Sequence, residues 1–162
     1  MNIRPASALD APVIAAIWNP IIRETEVTFN SEEKTVDGLA QDFAAKEAAG
    51  KAFLVAEQQG DIMGFATYGQ FRGGPGYAHT MEHTVILAPS ARGQGVGRAL
   101  LTAIEEHARN AGAHVMMAGV SAENPAAVAF HAALGYREMA RLPQVGRKFG
   151  RWMDLVLMQK ML

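Results

Sequence analysis

Gly93, Gly95 and Gly97 stand at alternate positions in the stretch LAPSARGQGVGRALL, with Arg92 and Arg98 on either side. Glycine carries no side chain, so its backbone N–H groups can approach a ligand closely. The first turn of a helix adds unpaired N–H groups and a partial positive charge. A strand–turn–helix of this kind is a socket for a phosphate or pyrophosphate, and two guanidinium groups bring charge and forked donors to it. The chain has no Walker sequence, and the dinucleotide fingerprint Gly-x-Gly-x-x-Gly fails in both frames. Counted from Gly93 its third glycine falls on Arg98, and counted from Gly95 on Leu100. Two readings remain: a diphosphate socket of another kind, or a glycine-rich turn with no ligand.

A second constellation points to metal chemistry. HTMEH at 79–83 matches His-x-x-Glu-His, a zinc pattern that requires a helix to bring its histidines together. Thr84, Val85 and Ile86 follow directly and favour a strand. On a strand His79 and His83 share a face but lie roughly 13 Å apart, at about 3.3 Å per residue. Zinc bonds to histidine are about 2 Å long, so no metal site is expected. His107 and His114 read as surface or helix-end residues. The chain has no cysteine, which removes disulfides, thiolate metal sites and a cysteine nucleophile.

Residues 2–5 read as a short first strand. Ser7 and Asp10 have capping-box spacing, with Asp in place of the usual Glu. Val13, Ile14, Ile17, Trp18 and Ile21 then mark a helix that Pro20 is expected to bend or end. Val36, Leu39 and Phe43 mark a second helix, with Gly50 as its stop. AFLVAEQ and IMGFATYGQF read as strands of a hairpin joined at QGD. HTMEHTVILA reads as the next strand, closed by Pro89. Leu100, Leu101, Ile104 and Ala108 define the helix after the glycine turn. AHVMMAGV is a strand, and NPAAVAFHAALGY a helix with Asn124 at its mouth, Pro125 first and Gly135 at its end. RWMDLVLMQKM closes the chain as a strand. The order β-α-α-β-β-β-α-β-α-β-β implies an α/β fold with a mixed central sheet and helices on its faces.

The 162 residues suit a single domain over 1–162 and are 49% hydrophobic, enough for a substantial core. The net charge of −1 argues against a nucleic-acid footprint. No apolar run approaches the roughly 20 residues of a spanning helix, and MNIRPASALD lacks the features of a signal peptide. The expectation is a cytoplasmic protein without a membrane or nucleic-acid partner.

The spacing Arg92-x-x-Gly95-x-Gly97 resembles the acetyl-CoA pyrophosphate loop of the GNAT N-acetyltransferase superfamily. TVILAPSARGQGVGRALL is similar to that superfamily's strand, loop and helix, and ENPAAVAFHAALGY to its next helix. The resemblance implies the GNAT acyl-CoA N-acyltransferase fold, with acetyl-CoA as co-substrate. It implies that backbone groups of Val85, Ile86 and Leu87 pair with the pantetheine arm, and that Asn124 bonds it. The N–H groups of Gly93, Gln94, Gly95, Val96, Gly97 and Arg98, beside Arg92, would hold the pyrophosphate. Glu82 lies just before the arm-binding stretch, where a carboxylate can take a proton from the acceptor ammonium before attack; the alternative is a partly buried Glu paired with an arginine. His131 stands where many members of the superfamily carry a tyrosine that protonates the leaving thiolate. It either donates that proton or lines the CoA channel.

MEHTVIL, FHAALGY and LPQVGRKFGRWMDLVLMQ resemble the phosphinothricin and methionine sulfoximine N-acetyltransferases, most specifically at GRWMD, 150–154. That branch acetylates the α-amino group of small amino acids with a tetrahedral polar side-chain head. The resemblance places Arg72, Gly73 and Gly74 against the acceptor, Arg72 on its carboxylate. It makes Glu82, His83 and Thr84 another wall, and has Thr28 and Phe29 cover the pocket. Arg72 also reads as a solvated charge at a strand end. Phe71 and the GGPG loop depart from the branch. The resemblance implies a homodimer with the C-terminal strands near the contact, although WMDLVLM equally suits the core. Rival readings are an N-acetyltransferase for another amine or a protein N-terminus, and a non-catalytic acyl-CoA-binding module.

Overall fold

The structure is a computed structural model that describes residues 1–162. Along the chain lie β1 (Asn2–Pro5), α1 (Ala11–Glu24), α2 (Val36–Ala48), β2 (Phe53–Gln58), β3 (Asp61–Gln70), β4 (Thr80–Leu87), α3 (Val96–Asn110), β5 (Val115–Ser121), α4 (Pro125–Ala133), β6 (Arg137–Lys148) and β7 (Arg151–Met161). The seven strands form one sheet in the order β1-β2-β3-β4-β5-β7-β6. Every neighbouring pair is antiparallel except β4 with β5. The sheet is therefore mixed, and its helices pack on both faces.

Leu100, Leu101, Ile104 and Ala108 form one stripe of α3 and are wholly buried, packed with Tyr68, Met116 and Val156. The opposite face is covered by α1 and α2 over an aromatic cluster. Phe43 meets Phe53 at 4.5 Å between ring centroids, Phe53 stacks on Phe65 at 5.2 Å, and Trp18 leans on Phe65 at 4.7 Å. The hairpin between β2 and β3 turns at Gln59 and Gly60, both at positive φ, as a twist-matched two-residue turn requires.

Before α1, the Ser7 N–H donates to Asp10 Oδ2 at 2.7 Å, and Arg4 donates to both oxygens of the Asp10 carboxylate at 2.8 and 2.9 Å. These bonds, the one to Arg4 foremost, push the Asp10 carboxyl down to about 2. Of the two expectations for Pro20, a bend or an end, the end is corrected here. α1 does not end at Pro20 but runs on to Glu24. Ile22, beyond the proline, is wholly buried, so tertiary packing holds the turn that the missing N–H weakens. Val13 lies on the exposed side and Ile22 takes a core position in its place. In the last strand Met153, Val156 and Met158 are core, whereas Trp152 is exposed.

Candidate functional site

β4 and β5 pair only from Thr80 with Val115 to Glu82 with Met117. Past Glu82 they diverge, while β4 stays on β3 as far as Leu87 and β5 stays on β7 as far as Ser121. A cleft of about 840 Å³ opens in this wedge, walled by Thr84–Leu87 on one side and Ala118–Ser121 on the other. It passes through the sheet. The glycine turn, Asn124, Phe130 and His131 border it on the α3–α4 face, and Trp18, Ile21 and Val27–Phe29 on the α1–α2 face.

Gly93 and Gly95 adopt left-handed φ values of 75° and 78°, and Gly95 caps α3. The first hydrogen bond into the helix is Ala99 N–H to Gly95 C=O at 3.1 Å. The N–H groups of Gly93, Gly95, Val96, Gly97 and Arg98 thus donate to nothing in the protein. Orphan donors facing a cleft beside two exposed, unpaired arginines fit a diphosphate. Gln94 departs from the expected set. Its N–H meets Ala91 C=O, its side chain donates to Ser90 C=O at 2.6 Å, and it does not line the cleft. Gly97 has a packing role as well: a Cβ there would lie 3.3 Å from both Leu87 and Phe130. Asn124 caps α4 by accepting from Ala127 N–H at 3.1 Å, which leaves its amide N–H groups free toward the cleft.

Glu82 sits where the strands part. No arginine or other side chain pairs with it, and partial burial pushes its carboxyl above the ordinary value. Gly119 on β5 makes this placement possible, since a Cβ there would come within 2.8 Å of Glu82 Oε1. Sequence reasoning passed over Gly119. The available signal was a lone glycine inside a strand, which often marks a close approach.

His83 lines the same cleft as Glu82 and Thr84, but from the other face of the sheet. Neighbouring strand residues point to opposite faces, and the His83 ring lies on the α3–α4 side, 5.1 Å from His131 and 5.6 Å from Tyr136. Neither of its nitrogens has a partner, and burial pushes it down to about 3. His131 is also buried, with Nδ1 2.7 Å from Ala127 C=O. A carbonyl only accepts, so Nδ1 carries the hydrogen and Nε2 is the bare acceptor of a neutral ring. Burial lowers the His131 pKa and disfavours the imidazolium form.

Thr28 and Phe29 line the cleft, whereas Arg72, Gly73 and Gly74 do not. The latter three are exposed, and the Arg72 guanidinium lies over the Tyr77 ring at 5.6 Å. The Gln70 side chain donates to Arg72 C=O at 2.7 Å and Gly74 C=O at 2.8 Å, which ties this loop to itself. HTMEH runs into β4 as a strand, with His79 Nδ1 held 2.7 Å from Gly112 C=O.

The family model described as acetyltransferase (GNAT) family matches residues 16–136. The chain is 40% identical over 159 residues to the L-amino acid N-acyltransferase MnaT of Escherichia coli (strain K12), covering 98% of this chain and 92% of that protein. It is 38% identical over 159 residues to the L-methionine sulfoximine/L-methionine sulfone acetyltransferase of Salmonella typhimurium, covering 98% and 93%. The solved structure of yncA from Salmonella typhimurium with its cofactor acetyl-CoA superposes with a TM-score of 0.95 at 38% identity, over 100% of this chain and 94% of that one. A match of this extent, on a fold whose split sheet and bare helix mouth suit a thioester carrier, leaves one conclusion: the chain belongs to the acetyltransferase (GNAT) family.

Proposed function

We propose that this protein transfers the acetyl group of acetyl-CoA to the α-amino group of a small L-amino acid, in a ternary complex and without a covalent enzyme intermediate. Methionine sulfoximine, methionine sulfone and phosphinothricin are the acceptors we place first. The observation that carries this reading is the cleft through the sheet, which joins orphan backbone donors on one face to an unpaired carboxylate at the strand fork. The printed activities of the relatives support the choice of acceptor class.

In this reading the N–H groups of Gly93 and of Gly95 to Arg98 bind the diphosphate, with Arg92 and Arg98 adding charge. The β4 edge from Val85 to Leu87 takes the amide-bearing arm as a partial strand. Glu82 accepts a proton from the acceptor ammonium, directly or through water. The free amine attacks the thioester carbonyl and the C–S bond breaks; the second proton on the nitrogen passes to water as the amide forms, and CoA leaves as thiol. Holding both reactants in line supplies much of the rate. His131, neutral with a bare Nε2, lines the channel and does not serve as the acid, so water protonates the thiolate. The cations lining the cleft, Arg92 and Arg98, belong to the turn. Arg72 therefore meets the acceptor's carboxylate only if its loop folds inward.

The test is a steady-state screen of the three acceptors and the ordinary amino acids with acetyl-CoA, reading free thiol. Acetylation of an α-amine at saturable concentration is expected. Binding of acetyl-CoA without product would leave an acyl-CoA-binding module instead. We place the enzyme in the cytoplasm as a homodimer; exposed Val145 and Trp152 on the β6–β7 pair support a contact there, and light scattering of the purified protein measures the mass directly.

A further inference from the structure

Lys148 ends β6 with its ammonium taken out of water, at 6% exposure. Its Nζ donates to Thr25 C=O at 2.6 Å and to Thr28 C=O at 2.7 Å, across more than a hundred residues of sequence. The ammonium has no carboxylate within salt-bridge distance, although the charge of Glu26 acts on it from farther off, and the Phe149 ring covers it at 5.2 Å. Burying a cation against neutral carbonyls is costly, and the β6–β7 hairpin does not need those bonds, since Lys148 already pairs with Arg151 across the ladder. Two residues earlier, Gly146 leaves room for Phe29: any Cβ at 146 would overlap the Phe29 ring. The carbonyls at 25 and 28 anchor the segment on either side of Val27 and directly before Phe29; Val27, Thr28 and Phe29 wall the cleft on its α1–α2 face. That segment is otherwise held mainly by its own short turns, Val27 N–H to Thr25 Oγ1 and Asn30 N–H to Thr28 Oγ1.

We propose that Lys148 is a positioning residue: together with Gly146 it pins the 25–29 segment against the end of β6 and so fixes the shape of the acceptor pocket. Selection of the acceptor side chain then depends on the C-terminal hairpin as well as on the loop after α1. This rests on the proposed acetylation of an amino acid, with the acceptor entering the cleft from its α1–α2 face, opposite the glycine turn.

The test compares Lys148→Met, Lys148→Arg and Gly146→Ala in the full chain. Lys148→Met keeps the length and loses the donors. Its acceptor KM is expected to rise about tenfold or more, in line with bonds from a charged donor, while acetyl-CoA affinity stays within about twofold. Lys148→Arg should recover most of the loss, and Gly146→Ala should raise the acceptor KM by displacing Phe29. Amide hydrogen exchange over 26–30 should quicken in Lys148→Met, independently of turnover. Unchanged exchange overturns the pin. Faster exchange with an unchanged acceptor KM overturns its role in the pocket. Parallel loss of acetyl-CoA affinity and thermal stability in all three variants overturns it in favour of a general structural role. A wild-type enzyme that acetylates no amino acid refutes the reading beneath the proposal, and exchange over 26–30 still decides the pin.

Discussion

At the scale of single residues, the proposed chemistry depends on one carboxylate, Glu82, which has no side-chain partner. Replacing Glu82 with Gln should lower kcat by about 10²–10⁴-fold, the usual contribution of a positioned base, and flatten the acidic limb of the pH–rate profile. Acetyl-CoA affinity by calorimetry should hold. Because burial raises the Glu82 pKa, that limb should lie above the ordinary glutamate value. Gly119→Ala tests the same placement from the other strand. Its methyl group would crowd Glu82 Oε1, so kcat should fall about tenfold, as small misplacements of reacting groups do, with little change in melting temperature. His83 makes a separate prediction. Its ring is neutral in the fold until about pH 3, while in the unfolded chain it takes a proton near 6.5. Below 6.5 the unfolded state therefore binds more protons and stability falls as pH falls, by about 1.4 kcal/mol per pH unit from this residue alone. His131 acts in the same direction. Urea midpoints should decline below pH 6.5, and His83→Phe should reduce the slope, since no hydrogen bond is lost with the unpartnered nitrogens.

At the scale of elements, the glycine turn and α3 act as one unit. Gly95 holds a left-handed conformation at the mouth of the helix, so Gly95→Ala strains the cap by about 1 kcal/mol or more and shifts the orphan N–H groups. Acetyl-CoA affinity should drop about tenfold with the fold retained, measured by calorimetry. The other end of the unit is the buried stripe: Leu100→Ala should cost about 2–5 kcal/mol of unfolding free energy, read from denaturant titration. These elements were legible because their signals are local. The α3 stripe recurs at helical spacing, Asn124-Pro125 is a start signal and Gly135 a stop. Pro20 shows the limit of local reading. The proline weakens its helix, yet the burial of Ile22 carries α1 onward.

At the scale of the whole molecule, the functional feature is a sheet that divides. β4 and β5 share only three register pairs before parting, and the site lies in the gap rather than on any one element. Acetyl-CoA bound there would bridge both halves. At a hundredfold excess over its Kd it should add about 2.7 kcal/mol of stability, seen as a higher melting temperature, with slower exchange in β4 and at the start of α3 together. The sequence by itself determined the order of elements and the glycine turn ahead of α3, and marked Glu82 as a candidate, because helix and strand periods, caps and glycine turns are set by residues within a few positions of one another. Tertiary structure alone stacked His83 on His131, left Arg72 outside the cleft, set Gly119 beside the carboxylate and tied Lys148 to Thr25 and Thr28. Each of these depends on which strands become neighbours and in what register, a matter of packing between segments that no spacing along the chain records.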